Sequence, residues 1–520
     1  MRRHSSAYVT LIAFTAAIGG LLLGFDSSVI SGAAPFYKNV FGLEDGSFLF
    51  GFSVSCLIWG CIFGNFFAGP LSDRIGRKAT LLIAAFLFIV SSLITAFAGD
   101  IMTFIAGRIL AGVGVGFAIL AAPVYIAEVA PSKNRGWMVS FNQLLIVIGL
   151  SSAYFVNYFI LKWIDDPLTN WRWMLGVEAI PSVIYFCLLL FLPESPRWLV
   201  LKGKKEKALA VLGNVGGEAY AGQEYENIVK SINATPKIGN REQFKELFSP
   251  KMRLILIIGI GLGIFQQVSG INSILYYAPT IFELAGSGRD AAFVQAIAIG
   301  IVFMVVTIAS MLVIDRLGRK PLLYVGVSLM AVSLLITGIC FEQATYRVSK
   351  ADIHAIAQFS ENRTQLTNQL SPLADQIFTS ENDYTSAVKS ALTKTASNPE
   401  QYVQSFLKMG ININSTLVLI SILGFIAGFS FSLGPVMWAM FSEIFPNRLR
   451  GIAISFVGTV NSFTSFLVAT VFPVQLKVFG SSFTFYMYAA FMLLCLLFVW
   501  KYVVETKGKS LEALEKYLTR

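Results

Sequence analysis

The hexapeptide DRIGRK at 73–78 returns as DRLGRK at 315–320. A second pair follows in the same order, EVAPSKNRG at 128–136 and EIFPNRLRG at 443–451. A third, weaker pair is PESPR at 193–197 and ETKGK at 505–509. Each copy follows a long apolar run, in the same order in both halves, so the chain reads as two parallel repeats. The apolar runs are 8–34, 47–69, 79–98, 101–124, 136–161, 171–192, 254–283, 291–314, 321–341, 415–440, 452–475 and 482–503. A bilayer-spanning helix needs about 20 mostly apolar residues. These runs are therefore taken as helices 1–12, six in each repeat.

Composition agrees. Of 520 residues, 55% are hydrophobic and only 13% charged, whereas soluble domains carry about 25% charged residues. A soluble core stops growing near ~250–300 residues, so one core could not hide this much apolar surface. A soluble enzyme, a disordered chain and a collagen-like repeat are excluded. The expected class is an all-α membrane protein with twelve helices in two six-helix halves.

The net charge of +10 points to topology rather than to nucleic acid. With both termini placed in the cytoplasm, most of the 40 Lys and Arg fall on cytoplasmic segments, and the short outer loops are nearly bare, as the positive-inside rule requires. The start, Met1 to Ser6, is short and basic and runs into helix 1 without a small-residue cleavage site, so it reads as a span and not a cleaved signal. The five Cys lie in apolar runs, are odd in number and form no CxxC, so neither a disulfide framework nor a zinc site is indicated. No metal or cofactor is expected. His4 and His354 fall outside the spans, which excludes an intramembrane imidazole relay.

The repeat also locates an insertion. Lys78 to Glu128 is 50 residues and Lys320 to Glu443 is 123. The excess matches the polar segment 342–414 between helices 9 and 10, read as a partly helical exofacial appendage without a mechanistic role. The domain plan is 1–192, an amino-terminal bundle; 193–253, a cytoplasmic linker; 254–504, a carboxy-terminal bundle carrying 342–414; and 505–520, a cytoplasmic tail.

Doubled D-R-x-G-R-K loops, PESPR after helix 6, QQxxGIN (266–272) in helix 7 and a PETKG-like end resemble the sugar porter branch of the major facilitator superfamily. That branch includes bacterial xylose–proton symporters and facilitative glucose carriers. The resemblance covers the chain except 342–414, and departs at Val504-Glu505-Thr506, where the usual Pro is missing. It implies transport by alternating access, with a monosaccharide and a proton as the expected partners. The expected setting is a multi-pass protein of an inner or plasma membrane that works as a monomer in the lipid bilayer.

Charges inside a membrane are costly and usually functional. Asp26 in helix 1, Arg108 in helix 4 and Glu178 in helix 6 lie at matching depths in the outer half of the first bundle, to within roughly one turn at 1.5 Å per residue. A carboxylate facing an arginine stays ionised, and displacing the arginine or drying the site favours the protonated form. A fixed structural ion pair is the alternative, and Glu178 would equally serve as a helix anchor. The resemblance assigns Asp26 and Arg108 to proton coupling and implies a neutral residue at the Asp26 position in facilitative members.

A sugar presents hydroxyls and an apolar face, so its site needs amides and an aromatic surface. Gln266 and Gln267 lie near the midplane of helix 7, which Gly270 and Pro279 weaken. Asn272 follows them, and Asn461 sits at similar depth in helix 11. Gln143 is in helix 5, and Trp438 follows Gly434-Pro435, an expected break in helix 10. The resemblance matches Gln143, Gln266, Gln267, Asn272, Trp438 and Asn461 to sugar-contacting positions; helix–helix hydrogen bonding is the competing role. Tyr276, Tyr277 and Pro435 are read as gating elements.

The cytoplasmic loops carry a further constellation. Glu128 with Arg135 recurs as Glu443 with Arg448 and Arg450, joined by Arg74, Arg77, Glu194, Arg197, Arg316 and Arg319. It is expected to link the two halves and bias their equilibrium, since single surface pairs contribute little. Residues 197–250 are expected to form short helices that latch the inner side, with a solvated linker as the alternative. The stretch GVGVG (112–116) lacks the Lys-Ser/Thr of a nucleotide loop and reads as close helix packing. A facilitative uniporter and a sugar-sensing receptor remain rival functions. No nucleophile–base pair marks an enzyme.

Overall fold

The computed structural model describes residues 2–131, 134–234, 240–351, 353, 363–392, 399–446 and 448–507. Helices 1 to 5 are Arg2–Val40, Phe48–Ile75, Arg77–Ala96, Ile101–Val129 and Arg135–Trp163. Helices 8 and 9 are Arg289–Leu317 and Arg319–Glu342. The remaining spans are interrupted. Helix 6 is Asn170–Gly176 and Ala179–Leu190; helix 7 is Arg253–Val268, Ile271–Tyr276 and Ala278–Leu284; helix 10 is Ser415–Phe431 and Leu433–Ile444. Helices 11 and 12 form one run, Arg450–Tyr502, broken at Gly480, whose φ is 78°. With the pieces of helices 6, 7 and 10 joined and the last run divided at Gly480, the spans number the expected twelve.

The ends are set by local chemistry. Ser47 caps helix 2 by accepting from Phe50 N, and Asp100 caps helix 4 by accepting from Met102 N and Thr103 N at 2.9 Å, each satisfying amides that have no partner within the helix. Helix 1 packs on helix 5 and helix 2 on helix 4; in the second repeat helix 9 packs on helices 10 and 12. The helix 2–helix 4 contact is close because of GVGVG. A Cβ on Gly112 would lie 2.9 Å from Cys61 N and from Gly60 Cα.

Across the bundles, helix 2 meets helix 11, helix 5 meets helix 8, and helix 1 meets helix 7. Ser55 Oγ and Thr470 Oγ1 are 2.6 Å apart, Ser151 Oγ donates to Gly300 O at 2.7 Å, and Tyr154 OH donates to Leu275 O at 2.8 Å. Lys162 pairs with Asp290. These contacts lie at or beyond mid-span, toward the face that carries 342–414. Toward the basic-loop face Trp137 and Trp438 are 61% and 44% exposed. The bundles thus lean together at the insertion face.

The linker forms four short helices, Pro196–Leu201, Lys205–Gly216, Glu218–Ala234 and Asn240–Leu247. Arg448 of the second bundle pairs with Glu246 of the last. The insertion is more ordered than its polar composition suggests. It holds helices Arg363–Leu370, Glu381–Leu392 and Pro399–Gly410. It also has strands β1 (Thr345–Arg347), β2 (Ile377–Phe378) and β3 (Ile411–Asn412), antiparallel in the order β2-β1-β3. Tyr346, Tyr384, Val388 and Phe406 give it a core of its own. His354 and tail residues 508–520 lie outside the described residues.

Filling a tight helix contact costs about 1–3 kcal/mol. Gly112→Val is therefore expected to lower the melting temperature of the purified protein. Gly69→Ala on helix 2, where an added Cβ meets nothing within 4 Å, leaves it unchanged.

Candidate functional site

Helices 1 and 4 bring Asp26 and Arg108 into a direct ion pair, as their equal depths suggested. Asp26 is 1% exposed and Arg108 2%. Arg108 Nη1 donates to Asp26 Oδ1, and Nη2 to Asp26 O at 3.2 Å. The other oxygen, Asp26 Oδ2, and Arg108 Nε have no hydrogen-bond partner among the described residues. Glu178, 3% exposed, is within electrostatic reach of both, and its Oε1 is likewise unpartnered. It stands in the gap between the two pieces of helix 6, where its carbonyl accepts from Ser182 Oγ at 2.8 Å. Coulomb attraction is strongest where water is absent, while an unpaired buried charge is costly. A proton arriving at Asp26 therefore changes the balance of the whole cluster.

The second group is a set of amides in the other bundle. Gly270, at φ 83°, ends the first piece of helix 7 just after Gln266 and Gln267. Gln267 Nε2 donates to Gln266 Oε1 at 3.0 Å and to Asn461 Oδ1 at 3.2 Å. Asn461 Nδ2 donates to Gln266 Oε1 and to Gly263 O, both at 2.8 Å. Asn272 Nδ2 reaches Gln267 Oε1 at 2.9 Å and Ser465 Oγ at 2.6 Å. Gln266 Nε2 donates to Leu433 O at 2.9 Å, beside the break in helix 10. That break falls at Ser432, with φ −126° and ψ −96°. It therefore precedes Gly434-Pro435, and Pro435 lies in the second piece, where a first-turn proline lacks no required donor.

Four of the six expected sugar-contacting residues thus form one hydrogen-bonded cluster. Ser465 joins them unforeseen; it lies one turn after Asn461 on the same face of helix 11. Trp438 stands one residue after Met437, whose Sδ is 3.9 Å from Asn461 Nδ2. Gln143 is outside the cluster, on the helix 5 face shared by Val147, Ser151 and Tyr154. Tyr276 and Tyr277 are buried. The Tyr277 ring meets Phe50 of helix 2 edge-on at 5.9 Å and lies 5.2 Å from Phe472.

The loop charges are arranged differently from expectation. Glu128 is held by Arg77, at 2.9 Å from Nε and 3.2 Å from Nη2. Glu443 is held by Arg319, at 3.1 Å from Nε and 2.7 Å from Nη2. Arg448 turns to the linker, and Arg450 Nε donates to Phe445 O at 3.3 Å. The Arg135 side chain lies outside the described residues. Arg74, Arg197 and Arg316 make no ion pair among the described residues. Among the described residues each network therefore closes inside its own bundle.

The reason lies in the weak third repeat. Glu194 Oε1 accepts from Arg77 N at 2.9 Å, Lys78 N at 3.1 Å and Ser195 N at 2.8 Å. Glu505 accepts from Arg319 N and Lys320 N at 3.0 Å and from Lys507 N at 2.8 Å. Ser195 Oγ and Thr506 Oγ1 donate to Glu128 and Glu443 at 2.5 Å. Each carboxylate occupies the side of a glycine at positive φ, Gly76 (109°) or Gly318 (95°). A Cβ on Gly318 would lie 2.8 Å from Glu505 Oε2.

The family model "Sugar (and other) transporter" matches residues 12–359 and 401–518, leaving out the middle of the insertion. The chain is 36% identical to the arabinose-proton symporter of Bacillus subtilis over 99% of its length and 96% of the relative's. It is 33% identical to the D-xylose-proton symporter of Escherichia coli with the same coverage. Among solved structures it is similar to the inward-open xylose transporter XylE of E. coli, with a TM-score of 0.76, 31% identity and coverage of 98% and 100% of the two chains. XylE bound to 6-bromo-6-deoxy-D-glucose gives a TM-score of 0.71 at 32% identity, covering 99% and 100%.

Burial pushes the Glu505 carboxyl up, but the N–H groups of Lys507, Arg319, Lys320 and Thr506 outweigh it and hold it below its ordinary 4.5. Its contribution to stability is then present above that value and is lost as pH falls through the lower folded value. Glu505→Gln is expected to melt below the wild type at neutral pH. The gap in melting temperature should close as the scan is repeated at pH below 4.5.

Proposed function

Since the chain belongs to the Sugar (and other) transporter family, we propose that it is a proton-coupled monosaccharide symporter working by alternating access. The observation that carries the coupling is the buried Asp26–Arg108 pair with one carboxylate oxygen left unpartnered. Similarity to relatives named for arabinose and xylose supports a pentose or hexose as substrate.

The sugar binds between the bundles at the amide cluster. Gln266, Gln267, Asn272 and Asn461 exchange bonds among themselves for bonds to its hydroxyls, Trp438 covers its apolar face, and Gln143 approaches from helix 5. Asp26 takes a proton from the outer side and releases Arg108, whose charge then finds Glu178 within reach. Neutralising the carboxylate removes the cost of drying the site, so the bundles can rock past each other. Tyr276 and Tyr277 close the outer path, and the break at Ser432 with Pro435 lets the second piece of helix 10 move separately. The basic loops face the cytoplasm, as do both termini, in an inner or plasma membrane. One chain holds both bundles and the site between them, so the monomer is the working unit.

Uptake of a labelled sugar panel into liposomes with an imposed pH gradient tests the whole reading. Asp26→Asn is expected to abolish uphill accumulation while counterflow persists. Accumulation by the mutant would remove Asp26 from coupling, and gradient-independent uptake by the wild type would make the protein a uniporter.

Gln267→Ala leaves several partners unsatisfied at once. One unpaired buried polar group costs about 1–3 kcal/mol, roughly five- to 150-fold in affinity. Calorimetric sugar binding by purified Gln267→Ala is expected to weaken more than about tenfold, with a smaller effect for Gln143→Ala.

A further inference from the structure

Above the outer gate the two bundles and the insertion enclose a cavity of about 580 Å³, within the roughly 300–1,000 Å³ of small-molecule sites. Its floor is the gate itself, Phe50 against Tyr277. Its roof is the helix Glu381–Leu392, which brings Thr385 and Ser386 over the space. That helix is fastened to the second bundle where Glu381 Oε2 accepts from Ser481 N at 3.3 Å, just past the break at Gly480. The opposite wall is the end of helix 1, with Lys38 and Asn39.

The chemistry of this space is that of a neutral polyol site. Of the four cations on its wall, three are matched by acids, Lys38 with Asp45 at 2.5 Å, Arg289 with Glu283 at 3.7 Å and Lys477 with Glu44 at 3.9 Å, and the fourth, Lys389, shares the roof helix with Glu381. Such a lining does not select a net-charged ligand. It offers hydroxyl and amide groups that both donate and accept, above an aromatic floor, the same combination a sugar needs at the midplane. A sugar approaching from outside crosses this space to reach the gate.

We propose that the cavity is a second monosaccharide site, filled from outside while the midplane site faces the cytoplasm, so that the next sugar waits at the closed gate. The proposal rests on the transporter reading above and gives the insertion a role: it roofs the station. Filling the station with a side chain slows capture but not turnover.

Equilibrium dialysis of the purified full-length protein with radiolabelled D-xylose and L-arabinose tests it. Wild type is expected to bind two pentoses per chain. Ser386→Trp, an exposed position on the roof, and Asn39→Trp, on the facing wall, are each expected to retain one. Gln267→Ala should lose the other over the concentrations that saturate wild type. In uptake assays Ser386→Trp is expected to raise KM about threefold or more with kcat unchanged. A single site in the wild type, or two sites that persist in both tryptophan variants, overturns the station and leaves the transporter reading standing. No binding or uptake of any sugar overturns both.

Discussion

An ionised carboxylate sealed in a bilayer needs a partner, and Asp26 has one in Arg108. Neither side chain can be left behind without stranding a charge where water cannot reach. Helices 1 and 4 are consequently tied at this depth for as long as Asp26 is ionised. In the proposed cycle, protonation would release the tie, because it removes one charge and would free the other to turn toward Glu178. The interruption of helix 6 at that residue puts a second acid where a displaced guanidinium would look for it.

The two bundles divide the chemistry. Titratable groups gather in the first and amides in the second. In the proposed cycle, charge and sugar would therefore meet through the relative position of the bundles. Contacts between helices 2 and 11, 5 and 8, and 1 and 7 hold them together at one face. The broken helices 7 and 10 belong to the amide side, so the bundle that would grip the sugar has joints beside its amides. Helix 7 bends at Gly270 and again at Tyr277, between the amides and the gate. In the proposed cycle, a sugar that drew in Asn272 would act along one helix on Tyr277 above it.

Much of this was legible in the sequence, because a bilayer imposes length and polarity rules that few soluble folds share. The twelve spans, the matched depths of Asp26 and Arg108, and the amides of helices 7 and 11 all follow from apolar run length and position. What was not legible depended on geometry between distant loops. Arg135 stands near Glu128 in the sequence, yet Arg77 takes Glu128 with two nitrogens. Glu505 was noticed only through a faint echo of PESPR, and its seat on the Arg319 and Lys320 amides has no local signature. The order within 342–414 was also hidden. Its core is made of a few residues, Tyr346, Tyr384 and Phe406 among them, scattered through a polar segment without a long periodic run.

The paired seats of Glu194 and Glu505 bear on how such a chain can change over time. Each carboxylate fills the volume that a side chain on Gly76 or Gly318 would claim, and each is separated from its glycine by more than a hundred positions. A drift at either member is harmful alone, however exposed the loop, since a new Cβ evicts the carboxylate and a lost carboxylate leaves the loop amides bare. The glycine and the distant acid form one steric unit, present once in each repeat. An ancestral duplication carrying that unit whole would have delivered both inner corners of the molecule already assembled.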